Sequence, residues 1–598
     1  MTTITAPEAA SAGGGAGKVR PFAITLATAS SLENKTGAWR VERPVYRDFL
    51  PPCNDACPAG ENIQKWLYDA EDGSYERAWR TLMRDNPLPA VMGRVCYHPC
   101  QTACNRGKVD EAVGINAVER FLGDEALRQG WQPDPCAPDT GKHVLVVGAG
   151  PAGLSAAYQL RRRGHAVTVR DAAPRAGGMM RYGIPAYRLP RDVLDAEIAR
   201  IEGMGVHFIL NSKVDNITSD LDSGEFDAVF LAIGAQVGRR TYIPAGEAAR
   251  ILDAVTLLKD VEDDREAGDD AADQLMLGRR VVVYGGGNTA LDAARTAKRL
   301  GAEEAIIVYR RTRDRMPAHD SEVVEALEEG IQMRWLSTVQ HADAGKLRIE
   351  KMELDETGFP QPTGQFEDLE ADSLVLALGQ ESDLGLVDGV EGLTIKDGVV
   401  QVDEQFMTGH PGLFAGGDMV PSQRTVTVGI GHGKQAARAI DAYLRGEVYQ
   451  HPERHPLAQI GAINAWYYSD APQQVRERLE GARRSQTFDE VVQGLSADDA
   501  PVRGTALHEL RQLLRVRQLL RGVPGQRRDQ AGARQALRLQ LRLLQGLRHL
   551  RGGVPLRRHR DGPGAELTAP RPASAGGHAQ VLDHLGAGQG GKQDPGHQ

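Results

Sequence analysis

Residues 143–160 read HVLVVGAGPAGLSAAYQL. Val144, Leu145, Val146 and Val147 form a short apolar run of buried-strand type. The run stops at Gly148-Ala149-Gly150-Pro151-Ala152-Gly153, and an alanine-rich helical pattern follows at once. This is GxGxxG between a strand and a helix. Gly148 makes the tight turn, Gly150 lets backbone approach a pyrophosphate, and Gly153 lets helix pack on strand. Free N–H groups and the dipole at the helix start then favour the anion. The fingerprint alone is a weak signal. Asp171, 23 residues after Gly148, ends the next apolar run at residues 166–169, where a ribose-binding carboxylate belongs. Together they predict a dinucleotide site and not an ordinary glycine turn.

The 598 residues allow three to four domains at about 150 residues each. A net charge of −9 argues against nucleic acid as the main partner. No apolar run reaches about 18 residues, so no membrane span is expected. The opening MTTITAPEAASAGGGAGKVR has no charged start followed by an apolar core. It reads as a disordered lead-in over residues 1–44, not as a secretory signal. The expected location is the cytoplasm, where cysteines serve as metal or redox thiols more than as disulfides.

All six cysteines precede residue 140, and five cluster in PPCNDACPAG and GRVCYHPCQTACNRG. These are Cys53, Cys57, Cys96, Cys100 and Cys104; Cys136 stands alone in a polar linker. Gaps of three residues, with proline after Cys57, suit thiolates turned around an iron–sulfur cluster. Zinc, or simple burial of the thiols, are the competing readings. Residues 63–83 between the two groups look helical, with Trp66, Leu67, Ala70, Ala78 and Leu82 as apolar positions. The expectation is a helical [4Fe-4S] domain over residues 45–135.

After Asp171, residues 177–185 (GGMMRYGIP) form a glycine-rich loop suited to fold over a cofactor, with Gly178 and Arg181 as candidate contacts. Residues 226–234 (FDAVFLAIG) form another buried strand. A second site follows at residues 281–290, VVVYGGGNTA, a strand leading into GxGxxA with Gly285, Gly287, Asn288 and Thr289 at the turn. The next strand, residues 305–309, ends in Arg310-Arg311 and not in a carboxylate. Guanidinium forks there suit a 2′-phosphate, so NADPH is favoured over NADH; the competing reading is an exposed arginine pair. Residues 372–379 (DSLVLALG) echo the earlier strand and close this unit, and residues 412–418 (GLFAGGD) follow. A strand ending in Gly-Asp aims Asp418 at a ribityl hydroxyl, and the helix after it turns its start toward a flavin ring. The fold class is therefore α/β. Two Rossmann-like dinucleotide-binding domains follow the helical iron–sulfur domain, and the FAD domain (140–248 and 370–450) is split by an inserted NADPH domain (249–369). A linker and helical segment is expected at 451–500.

These pieces together resemble the small (beta) subunit of NADPH-dependent glutamate synthase and its relatives, which include regions of dihydropyrimidine dehydrogenase and of NADPH–ferredoxin transhydrogenases. The resemblance covers residues 45–470 and rests on ACPAG, GRVCYHPC, GAGPAG, GGMMRYGIPAYRLP, GGGNTALDAAR, YRR followed by MPA, and LFAGGD. It implies FAD on Gly148, Gly150, Gly153, Asp171 and Asp418. It implies NADPH on Gly285, Gly287, Asn288, Thr289, Arg310 and Arg311. The family often carries a further CxxC ahead of the first cysteine pair, giving two [4Fe-4S] clusters; this sequence lacks it. One cluster is expected, on Cys57, Cys96 and Cys100, with Cys53, Cys104 or Glu119 completing the set. No CxxC lies near the flavin segments, which disfavours a redox-active disulfide.

The composition changes sharply at residues 501–598, which hold sixteen arginines and one lysine, and no Cys, Phe, Trp, Tyr, Ile, Met or Asn. Such a segment has little to bury against its ordering entropy and reads as disordered or irregularly helical. Read one base on, with allowed codons, residues 507–526 become CTSCGNCFECDNCYGVCPDN. Residues 544–562 become CKGCGICVAECPCGAIEM, which contains the bacterial ferredoxin run C-x2-C-x2-C-x3-C-P. The tail is thus expected to be an out-of-frame two-cluster ferredoxin domain, the frame breaking near residue 500. The functional expectation is an enzyme that passes electrons from NADPH through FAD to a [4Fe-4S] cluster and on to a partner. That partner is a large catalytic subunit of the glutamate synthase alpha type or a ferredoxin-type acceptor. The competing class is an inactive scaffold with a basic binding arm.

Overall fold

The computed structural model describes residues 48–239, 241–246, 250–267, 276–462 and 475–495. The expected lead-in and aberrant tail lie outside these residues. Proline at the first turn starts several of the opening helices, where a missing N–H costs nothing. They are α1 (Pro52–Ala56), α2 (Ile63–Glu71), α3 (Tyr75–Met83), α4 (Pro89–Val95), α5 (Pro99–Thr102) and α6 (Ile115–Gln129). The expected single helix over 63–83 is two, because Gly73 takes φ +73° at the turn between α2 and α3. Its apolar positions hold: Trp66, Leu67, Ala70, Ala78 and Leu82 are all buried.

The chain continues through β1 (His143–Val147), α7 (Pro151–Arg162), β2 (Ala166–Arg170), α8 (Met179–Tyr182), α9 (Arg191–Glu202), β3 (His207–Ile209), α10 (Thr218–Asp222) and β4 (Ala228–Leu231). The short β5 (Val237–Gly238) leads out to β6 (Ile251–Asp253), α11 (Ala254–Ala267), β7 (Arg280–Tyr284), α12 (Asn288–Arg299), β8 (Glu304–Val308), α13 (Asp320–Glu328) and β9 (Gln332–Arg334). An antiparallel meander of β10 (Ser337–Asp343), β11 (Lys346–Leu354) and β12 (Pro360–Glu370) precedes β13 (Ser373–Leu376). The chain returns through β14 (Gln380–Glu381), the hairpin β15 (Ile395–Lys396) and β16 (Val399–Val400), β17 (Leu413–Ala415) and the long α14 (Val426–Leu444).

Two parallel five-stranded sheets result, in the orders β17-β4-β1-β2-β3 and β6-β13-β7-β8-β9. Their central strands are apolar on both faces, as parallel strands covered by helices must be. The last strand of the first sheet, β17, arrives after the whole second sheet, so the first domain is split by an insertion. The expected boundary at residue 370 needs correction. β13 pairs with β6 and β7, so residues 373–376 belong to the inserted sheet, and the return is marked by β14, which pairs antiparallel with β5.

The helical domain docks on the first sheet's helices. Glu197 of α9, fully buried, accepts from Ala90 N at 3.1 Å and Val91 N at 3.0 Å, so its carboxylate satisfies the exposed donors at the start of α4. Of the expected linker and helical segment, residues 451–462 and 475–495 are described; the second stretch is mostly a non-helical strap with one turn of helix, α15 (Gly481–Arg484). It pairs Glu490 with Arg94 of α4 at 2.8 Å and Arg484 with Glu328 of α13 at 2.8 Å. Among the described residues no helix is long and apolar enough to cross a membrane.

Glycines let α14 lie unusually close to its neighbours. A Cβ on Gly433 would collide with the Ala152 carbonyl of α7, and one on Gly431 with the Pro58 carbonyl beside Cys57. Ser155 Oγ donates to the Ile430 carbonyl at 2.8 Å across the same contact. Replacing Gly433 by Ala should therefore lower stability by about 1–3 kcal/mol through overpacking. A thermal or urea melt of the full chain checks this; an unchanged midpoint would show that the two helices separate freely.

Candidate active site

One cavity of about 1240 Å³ is lined from both sheets. From the first sheet's domain it takes Gly148, Gly150, Asp171, Gly178 and Asp418. From the inserted domain it takes Gly285, Gly287, Asn288, Thr289, Arg310 and Arg311. The two fingerprints thus open on a shared space at the carboxyl ends of the strands, where ligands bind in open α/β sheets.

In the first half, Gly148 adopts φ +107°, and a Cβ there would collide with the Ala232 carbonyl. Gly150 is the extended N-cap of α7, with Pro151 at the first helical position. Gly153 does not line the cavity; a Cβ on it would collide with the Gly148 carbonyl, so its part is close packing of helix on strand. Gly178, at φ +53°, lies over Gly150, and a Cβ there would sit 2.8 Å from the Gly150 Cα. Asp171 accepts from Ala149 N at 2.6 Å and Ala173 N at 2.7 Å. Burial nevertheless holds its carboxyl above the ordinary range. Asp418 lies in a 3-10 turn (Gly417–Met419) and is raised by burial as well, with Arg424 pulling the other way. The first turn of α14 meets the same cavity through Val426, and Thr425 Oγ1 caps that turn by accepting from Val428 N at 3.2 Å.

Arg181 departs from expectation. It is buried, its Nε donates to the Ala176 carbonyl at 2.8 Å, and its guanidinium pairs with Asp195. It lines no part of the cavity and fixes the glycine loop from behind. The arginine of this segment that faces the cavity is Arg188. Arg188 makes two bonds to Asp292 of α12, at 2.9 and 2.7 Å, and a 2.5 Å pair with Glu322 of α13. Nothing in the spacing around GIPAYRLP distinguishes the two arginines, so Arg188 escapes sequence reasoning.

In the second half, Gly285 adopts φ +154°, where a Cβ would collide with the Ala377 carbonyl. Gly287 caps α12 with open space around it. Asn288 Oδ1 accepts from His319 N at 2.9 Å, and Thr289 Oγ1 from Gln380 Nε2 at 3.2 Å. Arg310 and Arg311 line the cavity beside Arg315, a third guanidinium that sequence reasoning passed over. Arg311 Nε is buried with no hydrogen-bond partner. A buried, unsatisfied guanidinium donor in a cavity fits a phosphate oxygen.

The thiols fall into two groups. Cys57 caps the end of α1 and Cys96 the end of α4, while Cys100 lies in α5. These three and Glu119 are close enough that the charge on one raises the others' pKa. Burial is the larger cause for each, and it pushes Cys96 to about 12. Asn86 Nδ2 donates to Glu119 Oε1 at 2.8 Å and to Glu61 Oε1 at 3.0 Å. Burial raises both carboxyls, Glu61 to about 7, and each is raised further by acidic neighbours. Cys53 is instead the neighbour of Cys104, both buried. Among the described residues no three His, Cys, Asp or Glu side chains converge on a single ion. The half-buried Cys57 and Cys96, the buried Cys100 and the buried carboxylate of Glu119, near enough to feel one another's charge, are donors of the kind a [4Fe-4S] unit takes. Cys136 lies within electrostatic reach of Tyr158 of α7.

Comparison with known proteins divides the chain into the same helical and α/β parts. Residues 142–440 match the pyridine nucleotide-disulphide oxidoreductase family, and residues 46–131 match dihydropyrimidine dehydrogenase domain II, 4Fe-4S cluster. The chain is 39% identical over 441 residues to the NADP(+)-dependent formate dehydrogenase subunit beta of Moorella thermoacetica, covering 67% of this chain and 61% of that protein. It is 34% identical over 445 residues to the NADPH-Fe(3+) oxidoreductase subunit beta of Geobacter sulfurreducens, covering 67% of this chain and 65% of that protein. It is 33% identical over 429 residues to the glutamate synthase [NADPH] small chain of Escherichia coli, covering 66% of this chain and 89% of that protein. The matched part thus spans less than two thirds of the first two relatives. The chain belongs to the glutamate synthase small-subunit-like family of FAD- and iron–sulfur-containing NADPH oxidoreductases.

Proposed function

We propose that the chain is an NADPH-oxidising electron-input subunit that serves a separate catalytic partner. The observation that carries this reading is the single cavity lined by both fingerprints, with Val95 and Tyr97, the neighbours of Cys96, in its wall. FAD bound there would supply the chemistry that converts a hydride from NADPH into single electrons for a [4Fe-4S] cluster. The protein's part is to hold and orient. The starts of α7 and α12 receive pyrophosphates, and Asp171 and Asp418 receive hydroxyls. Arg310 and Arg311 receive the 2′-phosphate, while Cys57, Cys96, Cys100 and Glu119 hold the cluster. No side-chain nucleophile or general base is needed for this half-reaction.

The relatives named above serve formate, Fe(3+) and glutamate chemistry by their names, and they share a beta or small subunit. The acceptor is therefore a partner subunit, of the glutamate synthase large-chain type or a ferredoxin-type carrier. The shifted-frame reading of residues 501–598 favours an acceptor reached through ferredoxin clusters. A repaired frame would restore that domain on this same chain. Sequencing the coding DNA across codons 490–510 tests it: the expected result is a TGC series one base out of register, and its absence would end the frameshift reading.

An anaerobic visible spectrum of the purified full chain, taken before and after NADPH, tests the function. Flavin bands that bleach over a broad iron–sulfur absorbance are expected; a colourless protein indifferent to NADPH would refute the proposal. Replacing Arg310 and Arg311 together by Ala should raise KM for NADPH by about 10- to 100-fold, the loss of charge-assisted bonds to one phosphate, with little change for NADH. Steady-state kinetics with both cofactors would reveal an equal loss for NADH, which would place the 2′-phosphate elsewhere.

A further inference from the structure

The helix that faces the flavin site also touches a cluster ligand. Thr427 lies in the first turn of α14, between Thr425, which caps the helix, and Gly429, which lines the cavity. Its side chain is buried, and its Oγ1 donates to Cys96 Sγ at 3.2 Å across 331 residues of sequence. A second donor, His98 N, reaches the same sulfur at 3.3 Å. His98 itself takes φ 44°, one of five non-glycine residues with positive φ among the described residues, and starts α5, which carries Cys100. The sulfur of Cys96 thus receives one bond from its own loop and one from the flavin-facing helix. Its sequence neighbours Val95 and Tyr97 line the cavity.

We infer that Thr427 is a positioning residue that fixes the Cys96 edge of the cluster against the flavin site and tunes the cluster through a hydrogen bond to its ligand sulfur. The inference rests on the electron-input reading. Each hydride that enters leaves as two single electrons at this edge and one proton to solvent. A donor to a cluster sulfur stabilises the reduced, more negative state and so raises the reduction potential. A rigid contact also keeps the donor–acceptor separation constant, because α14 is locked on α7 and on the loop beside Cys57 by its glycines.

The experiment uses the full chain and two variants, Thr427→Val and Thr427→Ser. Valine keeps the β-branch and removes the donor; serine keeps the donor. The helix cap at Thr425 remains in both. The readout is the cluster midpoint from an EPR-monitored redox titration, together with anaerobic stopped-flow rates for flavin bleaching and cluster reduction. In Thr427→Val the midpoint should fall, with the reduced-to-oxidised ratio at a fixed ambient potential dropping roughly tenfold, the scale of one hydrogen bond to a charged group. Flavin bleaching by NADPH should keep its rate while cluster reduction slows. Thr427→Ser should restore the wild-type midpoint. An unchanged midpoint in Thr427→Val, with iron and labile sulfide at wild-type levels, overturns the inference alone. Wild-type protein without iron or labile sulfide overturns both it and the electron-input reading.

Discussion

The close packing of α14 on α7 is the constraint on which the site depends. Two helices whose backbones approach this closely need glycine along the seam, and Gly433 supplies it, while Gly431 lets the loop at Pro58 approach the same helix from another side. Both helices begin at the cavity, α7 at Gly150 and α14 at Thr425, so two positive helix ends converge on one space. Lys434, buried in the same helix, donates to the Gly60 carbonyl at 2.9 Å and pairs with Asp85 at 3.1 Å. One helix therefore sets the distance between the split domain and the cysteine loops.

Burial disfavours ionisation of the acids and thiols beside that seam. Taking a charge out of water disfavours ionisation, and Cys57, Cys96, Cys100, Glu61 and Glu119 are all raised for that reason first. An iron–sulfur unit held there would reverse the balance, since thiols must ionise to bind metal. The same logic works without metal around α12. There the guanidinium of Arg295 is fully buried against Glu329 at 2.7 Å, and Arg299 meets the same carboxylate at 2.7 Å.

Much of this was legible from the chain alone. Both strand–glycine–helix turns, the carboxylate at residue 171 and the echo of residues 226–234 in 372–379 announce two parallel sheets with the first interrupted. Local patterns carry that information because parallel strands and helix starts are local. What stayed hidden is long-range. The partition of the thiols into Cys57, Cys96 and Cys100 against Cys53 and Cys104 depends on how α1, α4 and α5 fold back. Arg181 and Arg188 have similar sequence surroundings, and tertiary packing alone turns one inward to Asp195 and the other toward Asp292. Thr427 carries no signal at all until α14 is laid beside Cys96. The break at Gly73 was readable in principle, since Asp-Gly in a helical pattern marks a turn.

The ribbon of β5 and β14 has a consequence for how such a chain arose. The segment between them leaves and re-enters the first domain at one point, its ends held as a pair of antiparallel strands. For closing the chain of the interrupted domain, the whole inserted sheet stands where a hairpin tip would. Loop-closure entropy depends weakly on what lies beyond such a clasp. The insertion is thus a module in the genetic sense. It can be lengthened at its far side, away from the Asp292 and Glu322 that hold Arg188, while β4 and β17 keep their register.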